Sequence, residues 1–181
     1  MIFDGAILPF IPGAFRVARA RAAWELRGYY RLRRQVFCAE QGIFPDHDRD
    51  AIDAVADPLI AVTCVAGDPD TVVGAVRIHQ VSPGYWWGSR LAVQADFRRV
   101  GSIGAHLVRL AVCTAHARGC VRFEAHVQAE NVGFFEHLGW HAEQRLLLHG
   151  LPHWLMHADL NRYPPHGQEA LGFVRPYRAA A

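Results

Sequence analysis

The chain has 181 residues, 51% of them apolar and 20% charged, which suits one globular domain with a sizeable core and excludes a disordered chain. A formal net charge of +2 is too balanced to call for nucleic acid or an anionic membrane, and neither is expected as a partner. All nineteen basic residues are arginine, which removes both a P-loop lysine and pyridoxal Schiff-base chemistry.

Residues 1–14 read as an extended arm, broken by Pro9 and Pro12, that covers a sheet or reaches a partner chain; a homodimer is thereby allowed for. The opening MIFDGAILPFIPG has no basic n-region and carries Asp4, so it makes a poor signal peptide, and no apolar run approaches the ~20 residues of a membrane span. Cys38, Cys64, Cys113 and Cys120 form no C-x-x-C pair, which fits reduced thiols in a cytoplasmic protein. Phe15–Ala20 suits a first strand. Helical spacing runs from Ala22 to Ala39, with Trp24, Tyr29, Leu32, Val36 and Phe37 on one stripe and Arg27, Arg31 and Arg34 facing water; Gly28 weakens its centre. Gly42 ends that helix. The run FPDHDRDAIDAVADP then sets out Asp46, Asp48, Asp50, Asp53 and Asp57. It is not a calcium loop, because Ala51 stands where the sharp turn needs glycine and Asp57 where a bidentate glutamate belongs. Such an acidic loop either attracts a cationic ligand or caps and solvates itself.

Leu59–Ala66 and Thr71–Val81 are β-rich and separated by the turn sequence GDPD; SPGYWW is a second turn before a strand at Trp86–Val93. Trp86 and Trp87 take opposite faces of that strand. Leu91–Ala117 follows as strand, small-residue turn and helix start: Leu91 and Val93, then Arg98, Arg99, Val100, Gly101, Ser102, Ile103, Gly104 and Ala105, then helical spacing from about Ile103 to His116. Unpartnered N–H groups at a helix start, glycine's close approach and two guanidiniums together suit a pyrophosphate. The spacing is neither G-x-G-x-x-G nor a P-loop. In CVRFEAHVQ, Val121, Phe123, Ala125 and Val127 alternate with Arg122, Glu124, His126 and Gln128, giving one apolar and one polar face. A last hairpin, His141–Leu148 and His153–Leu160, turns at HGLP. His149, His153 and His157 recur every fourth residue, but Pro152 and strand-like flanks argue against a helical metal face, and no metal is expected. Residues 161–181 read as a loosely attached tail.

RRVGSIGAHLVRLAV resembles motif A of the GNAT superfamily, the acyl-CoA-dependent N-acyltransferases, with Ser102 where glycine is usual. RRQVFCAEQGIF with the acidic run is similar to the opening of one GNAT branch and of acyl-homoserine-lactone synthases. AENVGFFEHLGW resembles the short GNAT helix ending F-Y-x-x-L-G-F, with Phe135 in place of the tyrosine that protonates the leaving thiolate and Asn131 near a pantetheine-binding asparagine. GYWWGSRLAV and HGLPHWLMHADL are similar to a subfamily of N-acetyltransferases from nitrilase-associated gene clusters.

The resemblance implies a single α/β (α+β) domain over residues 15–160, a mostly antiparallel twisted sheet flanked by helices. It implies acetyl-CoA as co-substrate and transfer to a primary amine of a small molecule. Cofactor contacts fall to Leu91, Val93, Arg98–Ala105 and Phe135, the thioester lying along the strand that ends at Val93. An amine of pKa about 10.4 is neutral in only about one molecule per few thousand at pH 7, a cost of about 4.6 kcal/mol, so a base helps. Glu124 and His126 are the candidates, on the polar face beside the cofactor arm. With Phe135 lacking a hydroxyl, the thiolate leaves as such or is protonated by water or Cys120. An acyl-homoserine-lactone-synthase-like enzyme and a non-catalytic CoA-binding module are the competing readings.

Overall fold

The computed structural model describes residues 14–99 and 102–165, and the backbone of 170–174. Eight strands form one sheet in the order β6-β7-β5-β4-β3-β2-β1-β8. They are β1 (Ala14–Arg19), β2 (Asp57–Val65), β3 (Asp68–Ser82), β4 (Tyr85–Val93), β5 (Arg122–Gln128), β6 (Trp140–Leu148), β7 (Leu151–Ala158) and β8 (Ala170–Val174). Every neighbouring pair is antiparallel except β4 and β5, which run parallel. Helices α1 (Ala23–Arg34), α2 (Ile103–Ala117) and α3 (Val132–His137) complete the fold.

Alternation along the central strands sends side chains to two cores. Leu59, Ala61, Val73 and Ile78 pack with Leu107, Leu110 and Ala111 of α2, while Ile60, Val62, Val72 and Ala75 pack with Tyr29 and Leu32 of α1. Strands buried on both faces need apolar residues at successive positions, which is why β2 and β3 read as nearly continuous apolar runs. Of the stripe expected on the first helix, Tyr29, Leu32, Val36 and Phe37 are buried, whereas Trp24 remains 37% exposed; Arg27, Arg31 and Arg34 do face water. That helix continues without a break into a π-helical segment, Gln35–Glu40.

The turn expected at GDPD lies earlier. Ala66 (φ 52°) and Gly67 (φ 92°) make it, and Asp68, Pro69 and Asp70 already belong to β3. Two successive left-handed residues match the twist of a tight hairpin. The last hairpin turns in the same way on His149 (φ 51°) and Gly150 (φ 76°).

Residues 161–181 are not simply a tail. Tyr163 is buried in the core, its hydroxyl donating to the Leu138 carbonyl at 2.6 Å and accepting from Trp140 Nε1 at 3.1 Å, and β8 pairs antiparallel with β1 from Ala14↔Val174 to Ala18↔Ala170. Of the expected arm, residues 1–13 lie outside the described residues, and Ala14 already opens β1.

Gly28 does more than weaken its helix. A Cβ there would come within 2.6 Å of Val72 Cγ2, so the glycine lets α1 sit close on β3. Gly74 plays the same part opposite α2, where a Cβ would meet Leu107 Cδ1 at 2.7 Å. Gly28→Ala gains helix propensity of about 1 kcal/mol but overpacks a rigid branched neighbour at about 1–3 kcal/mol. The expected result is a net loss of stability in urea unfolding, with Gly28→Ala/Val72→Ala less destabilised than the sum of the single changes. Simple additivity would show that the two residues do not press on each other.

Candidate active site

The parallel ladder between β4 and β5 runs from Tyr85↔Arg122 to Gly88↔Ala125 and stops. Beyond it β4 continues to Val93 alongside β3, and β5 continues to Gln128 alongside β7. A bulge opens this fork. Between Ala75↔Ala92 and Arg77↔Ser89 the strand β4 holds one residue more than β3, and Arg90 in that bulge has φ 57°. Bulges bend a strand and end pairing. The fork therefore presents β4 backbone groups to whatever enters it.

One arm of the fork leads to the start of α2. Ser102 precedes the helix in the left-handed conformation (φ 55°, ψ 32°) and its side chain makes no cap, so among the described residues no side chain caps the first-turn amides of Ile103, Gly104 and Ala105. The Ile103 side chain is buried in the core, and only its backbone can serve a ligand. A Cβ on Gly104 would meet Phe134 Cζ at 3.4 Å and Val93 Cγ2 at 3.9 Å, ordinary contact, so the protein's own packing does not demand glycine there. Leu91 and Val93 are partly buried against the α2-side core.

Other expected cofactor residues are placed differently. Arg98 folds back, donating from Nε to the Val93 carbonyl at 3.0 Å and pairing with Glu40, and so clamps the end of β4 to the π-helical segment. Arg99 is exposed, and Val100 and Gly101 lie outside the described residues. Phe135 is buried, its ring edge-on to Trp140 at 5.0 Å, and is a core residue. Its neighbour Phe134, 39% exposed, is the ring that faces Gly104. The sequence carried a hint of this, since a six-residue helix with adjacent phenylalanines can bury only one of them. Cys120 is buried and precedes β5, some 15 Å or more by strand rise from the fork beyond Ala125; burial pushes its thiol up to about 11.

The opposite face of the sheet carries the polar residues. Glu124 is buried and already engaged: Tyr85 Oη donates to it at 2.5 Å and Arg122 Nε at 2.5 Å. Burial and the hydrogen bond to this carboxylate push the Tyr85 phenol up to about 12. His126 is the first position of β5 beyond the last ladder pair, and its ring lies edge-on to Trp87 at 4.7 Å. Burial holds its imidazole below the usual histidine range, His153 adds to this, and Glu124 opposes it. His126 is therefore neutral at pH 7, as a proton acceptor must be.

The acidic run does not face a ligand with open charge. Arg33, fully buried, donates from Nε to Asp48 at 2.7 Å and from Nη1 to Asp53 at 2.5 Å. Arg77 grips Asp50 with two hydrogen bonds of 2.6 and 2.9 Å and reaches Ser89 Oγ at 2.9 Å. Arg90 pairs with Asp48 at 3.0 Å and Asp50 at 3.3 Å, its guanidinium 4.7 Å from the centre of the Phe44 ring. Arg33 was not singled out in the sequence, because an arginine on an arginine-rich helix reads as solvated; only its (i, i+4) relation to Tyr29, whose hydroxyl accepts at 2.9 Å, hinted otherwise. Among the described residues no group of histidine, cysteine, aspartate or glutamate is arranged to hold a metal ion, and no helix is long and apolar enough to cross a membrane.

A fork in a parallel strand pair beside an uncapped helix start, with a neutral histidine at its root, suits acyl transfer from a diphosphate-bearing thioester. The family model of the acetyltransferase (GNAT) family matches residues 25–140, and the chain belongs to that family. It is an acyl-CoA-dependent acyltransferase. A Bacillus subtilis (strain 168) protein provisionally named as an acetyltransferase is 26% identical over 142 residues, 77% of this chain and 93% of that one. A structure provisionally named as an N-acetyltransferase from Lactobacillus plantarum aligns with a TM-score of 0.70 at 22% identity, covering 80% of this chain and 97% of the other. The CoA-dependent acyl-homoserine lactone synthase BjaI, solved with SAM and isopentyl-CoA, aligns at 0.58 and 19% identity over 73% and 74% of the two chains. At these identities the structural likenesses show the fold.

The Arg33–Asp53 pair sets an acid limit on stability. Burial alone would raise the Asp53 carboxyl, but hydrogen bonds and charge from Arg33 outweigh it and hold it at about 2. A depressed carboxylate stabilises the fold above its unfolded pKa of about 3.9, and that contribution is lost as pH falls toward 2. Asp53→Asn is expected to cost about 2–4 kcal/mol at pH 7 in urea unfolding, because it leaves Arg33 with one carboxylate fewer. It should also flatten the fall in stability between about pH 4 and 2. An unchanged acid limb would show that the pair does not set it.

Proposed function

We propose that the enzyme is an N-acetyltransferase that moves the acetyl group of acetyl-CoA to a primary amine of a small molecule by direct attack. The single observation behind this reading is the fork: the ladder ends after Gly88↔Ala125 while the amides of Ile103–Ala105 start a helix at its mouth. In this reading the diphosphate rests on those amides, with Gly104 giving it room and Phe134 walling the arm. The thioester then lies against β4 near Leu91 and Val93, where a backbone N–H polarises its carbonyl. The amine enters from the face that carries Trp87 and His126.

His126 takes a proton from the ammonium, directly or through one water, which frees the nitrogen lone pair; the neutral amine then bonds to the carbonyl carbon and gives its second proton to solvent as the tetrahedral intermediate collapses. The carbon–sulfur bond then breaks and coenzyme A leaves as thiolate, to be protonated by solvent, since Phe135 has no proton and Cys120 is remote. Glu124 acts as a positioning residue that holds Tyr85 and Arg122 across β4 and β5. With Asp48, Asp50 and Asp53 neutralised by Arg33, Arg77 and Arg90, Asp46 paired with Arg34, and Asp57 paired with Arg19 and Arg118, selection of the amine falls to shape and to the Trp87 ring. That sets aside the attraction of a cationic acceptor by the acidic run. The narrower kinship with nitrilase-associated enzymes has the phrases GYWWGSRLAV and HGLPHWLMHADL as its support.

The lactone-synthase-like reading draws on the likeness to BjaI, and titration with S-adenosylmethionine decides it: binding there favours that reading over an amine acetyltransferase. For the principal reading, acetyl-CoA with a panel of amines should release thiol. Gly104→Asp should leave the unfolding midpoint within about 1 kcal/mol of the parent and abolish acetyl-CoA binding by calorimetry, and retained affinity would remove the cradle. His126→Gln should lower kcat by about 10²-fold with little change in the KM for acetyl-CoA, and should erase an acid limb lying below about pH 6.5. A limb that persists in His126→Gln would assign the base elsewhere.

A further inference from the structure

The two arms of the fork are joined again at its wide end, by side chains in place of a ladder. The Gln94 N–H donates to the Val73 carbonyl at 2.9 Å, and Val93, one residue back, lies opposite Gly74. Hydrogen-bonded and non-hydrogen-bonded pairs alternate along an antiparallel ladder, so the N–H and C=O of Val93 point away from β3 and into the fork. Arg98 reaches that carbonyl through Nε at 3.0 Å, and its Nη2 pairs with Glu40. The next residue, Gln41, accepts through Oε1 from Nε2 of Gln128, the last residue of β5, at 3.3 Å. A path of polar contacts thus runs from Val93 on one arm through Arg98, Glu40 and Gln41 to Gln128 on the other.

The middle of this bridge is fixed. Glu40 ends the π-helical segment, and the Gln41 backbone closes it by donating to the Val36 carbonyl at 3.0 Å. Val36 and Phe37 of the same segment are buried in the α1-side core. Adjacent residues on a helical turn do not face each other, so the side chains of Glu40 and Gln41 diverge, one toward each arm. The bridge stands where it is needed, because beyond Gly88↔Ala125 the ladder no longer sets the spacing of β4 and β5. Arg98 and Glu40 are both partly exposed, and an ion pair of that kind contributes little to global stability. It can hold a local distance, and acyl transfer is steep in distance: a misplacement of about 1 Å costs about 10²-fold in rate.

We propose that Arg98 and Glu40 are positioning residues for acyl transfer: with Gln41 they set the width of the fork and so keep the thioester carbonyl against the β4 backbone amide. The inference rests on the cleft reading above, which lays the thioester along β4.

Infrared spectroscopy of bound acetyl-CoA, isotope-labelled at the thioester carbonyl carbon, tests it beside calorimetric affinity. A carbonyl that accepts a hydrogen bond absorbs at lower frequency, so the parent should shift the band down from its position in free acetyl-CoA. Arg98→Ala and Glu40→Ala should each return the band about halfway or more toward the free position, with affinity within about threefold of the parent and an unchanged urea midpoint. The double variant should go no further than either single one, because both break the same link. Gln41→Ala, acting on the other arm, should move the band in the same direction. A band that stays put in Arg98→Ala and Glu40→Ala overturns the proposal, as do additive shifts in the double variant. A tenfold loss of affinity in Arg98→Ala that Glu40→Ala does not share overturns it too, and makes Arg98 a ligand of the diphosphate. These three outcomes leave the cleft reading intact. If the parent does not bind acetyl-CoA, or binds it with the band at the free position, the cleft reading fails and takes the bridge's role with it.

Discussion

Arg90 sits where the sheet parts. Its backbone is left-handed, a conformation that costs a residue with a Cβ about 1–2 kcal/mol, and this bulge coincides with the end of the β4–β5 ladder. Its side chain offsets that cost on the other side of the strand, where it pairs with Asp48 and Asp50 and lies over Phe44. One residue thus couples the opening of the fork to the seating of the loop above it. Loss of the carboxylates would remove the anchor of the bulge.

The loop in turn depends on Arg33 and Arg77. A wholly buried guanidinium is tolerable only when its donors are met, and Arg33 is met by Asp48, Asp53 and Tyr29. Asp50 serves twice, capping the short 3₁₀ turn at Ala51–Ala54 through the Ile52 amide and holding Arg77. The result is a loop rigidly tied to α1, β3 and β4 with little net charge to offer. Its free edge reaches the far side of the site: the Phe44 ring meets His149 in the β6–β7 turn at 5.0 Å, and Gln41 accepts from Gln128 at 3.3 Å.

The two sides of the fork differ in chemistry. On the α2 side the features offered to a ligand are backbone amides and a phenylalanine ring, which suit a polyanion with an apolar arm. On the other side lie Trp87, His126 and a chain of hydrogen-bonded groups that crosses the sheet from Tyr85 through Glu124 and Arg122 to Glu143, which lies 3.0 Å from His157 Nδ1. That chain ties β4, β5, β6 and β7 together where the ladder is still closed, and it fixes the root of the fork beside His126.

Much of this was legible in the residues. Helical spacing located α2 nearly to the residue and the start of α1, whose expected end at Ala39 falls in the π-helical continuation, and strict alternation in CVRFEAHVQ separated the core face of β5 from its polar face. Those signals are local, because period and turn chemistry are properties of consecutive residues. The partners of charged side chains were not legible. Arg33 and Arg34 are adjacent on the same helix, yet one is buried against Asp48 and Asp53 and the other pairs with Asp46 in solvent. Nor could the sequence tell Phe134 from Phe135, foresee that Arg98 would turn back to Glu40, or see that residues beyond 160 add Tyr163 to the core and a strand to the sheet. The chain by itself determined the elements and the class of chemistry. Which arginine meets which aspartate, and where the sheet parts, was decided by tertiary packing, because burial and charge pairing depend on residues distant in sequence that only the folded sheet brings together.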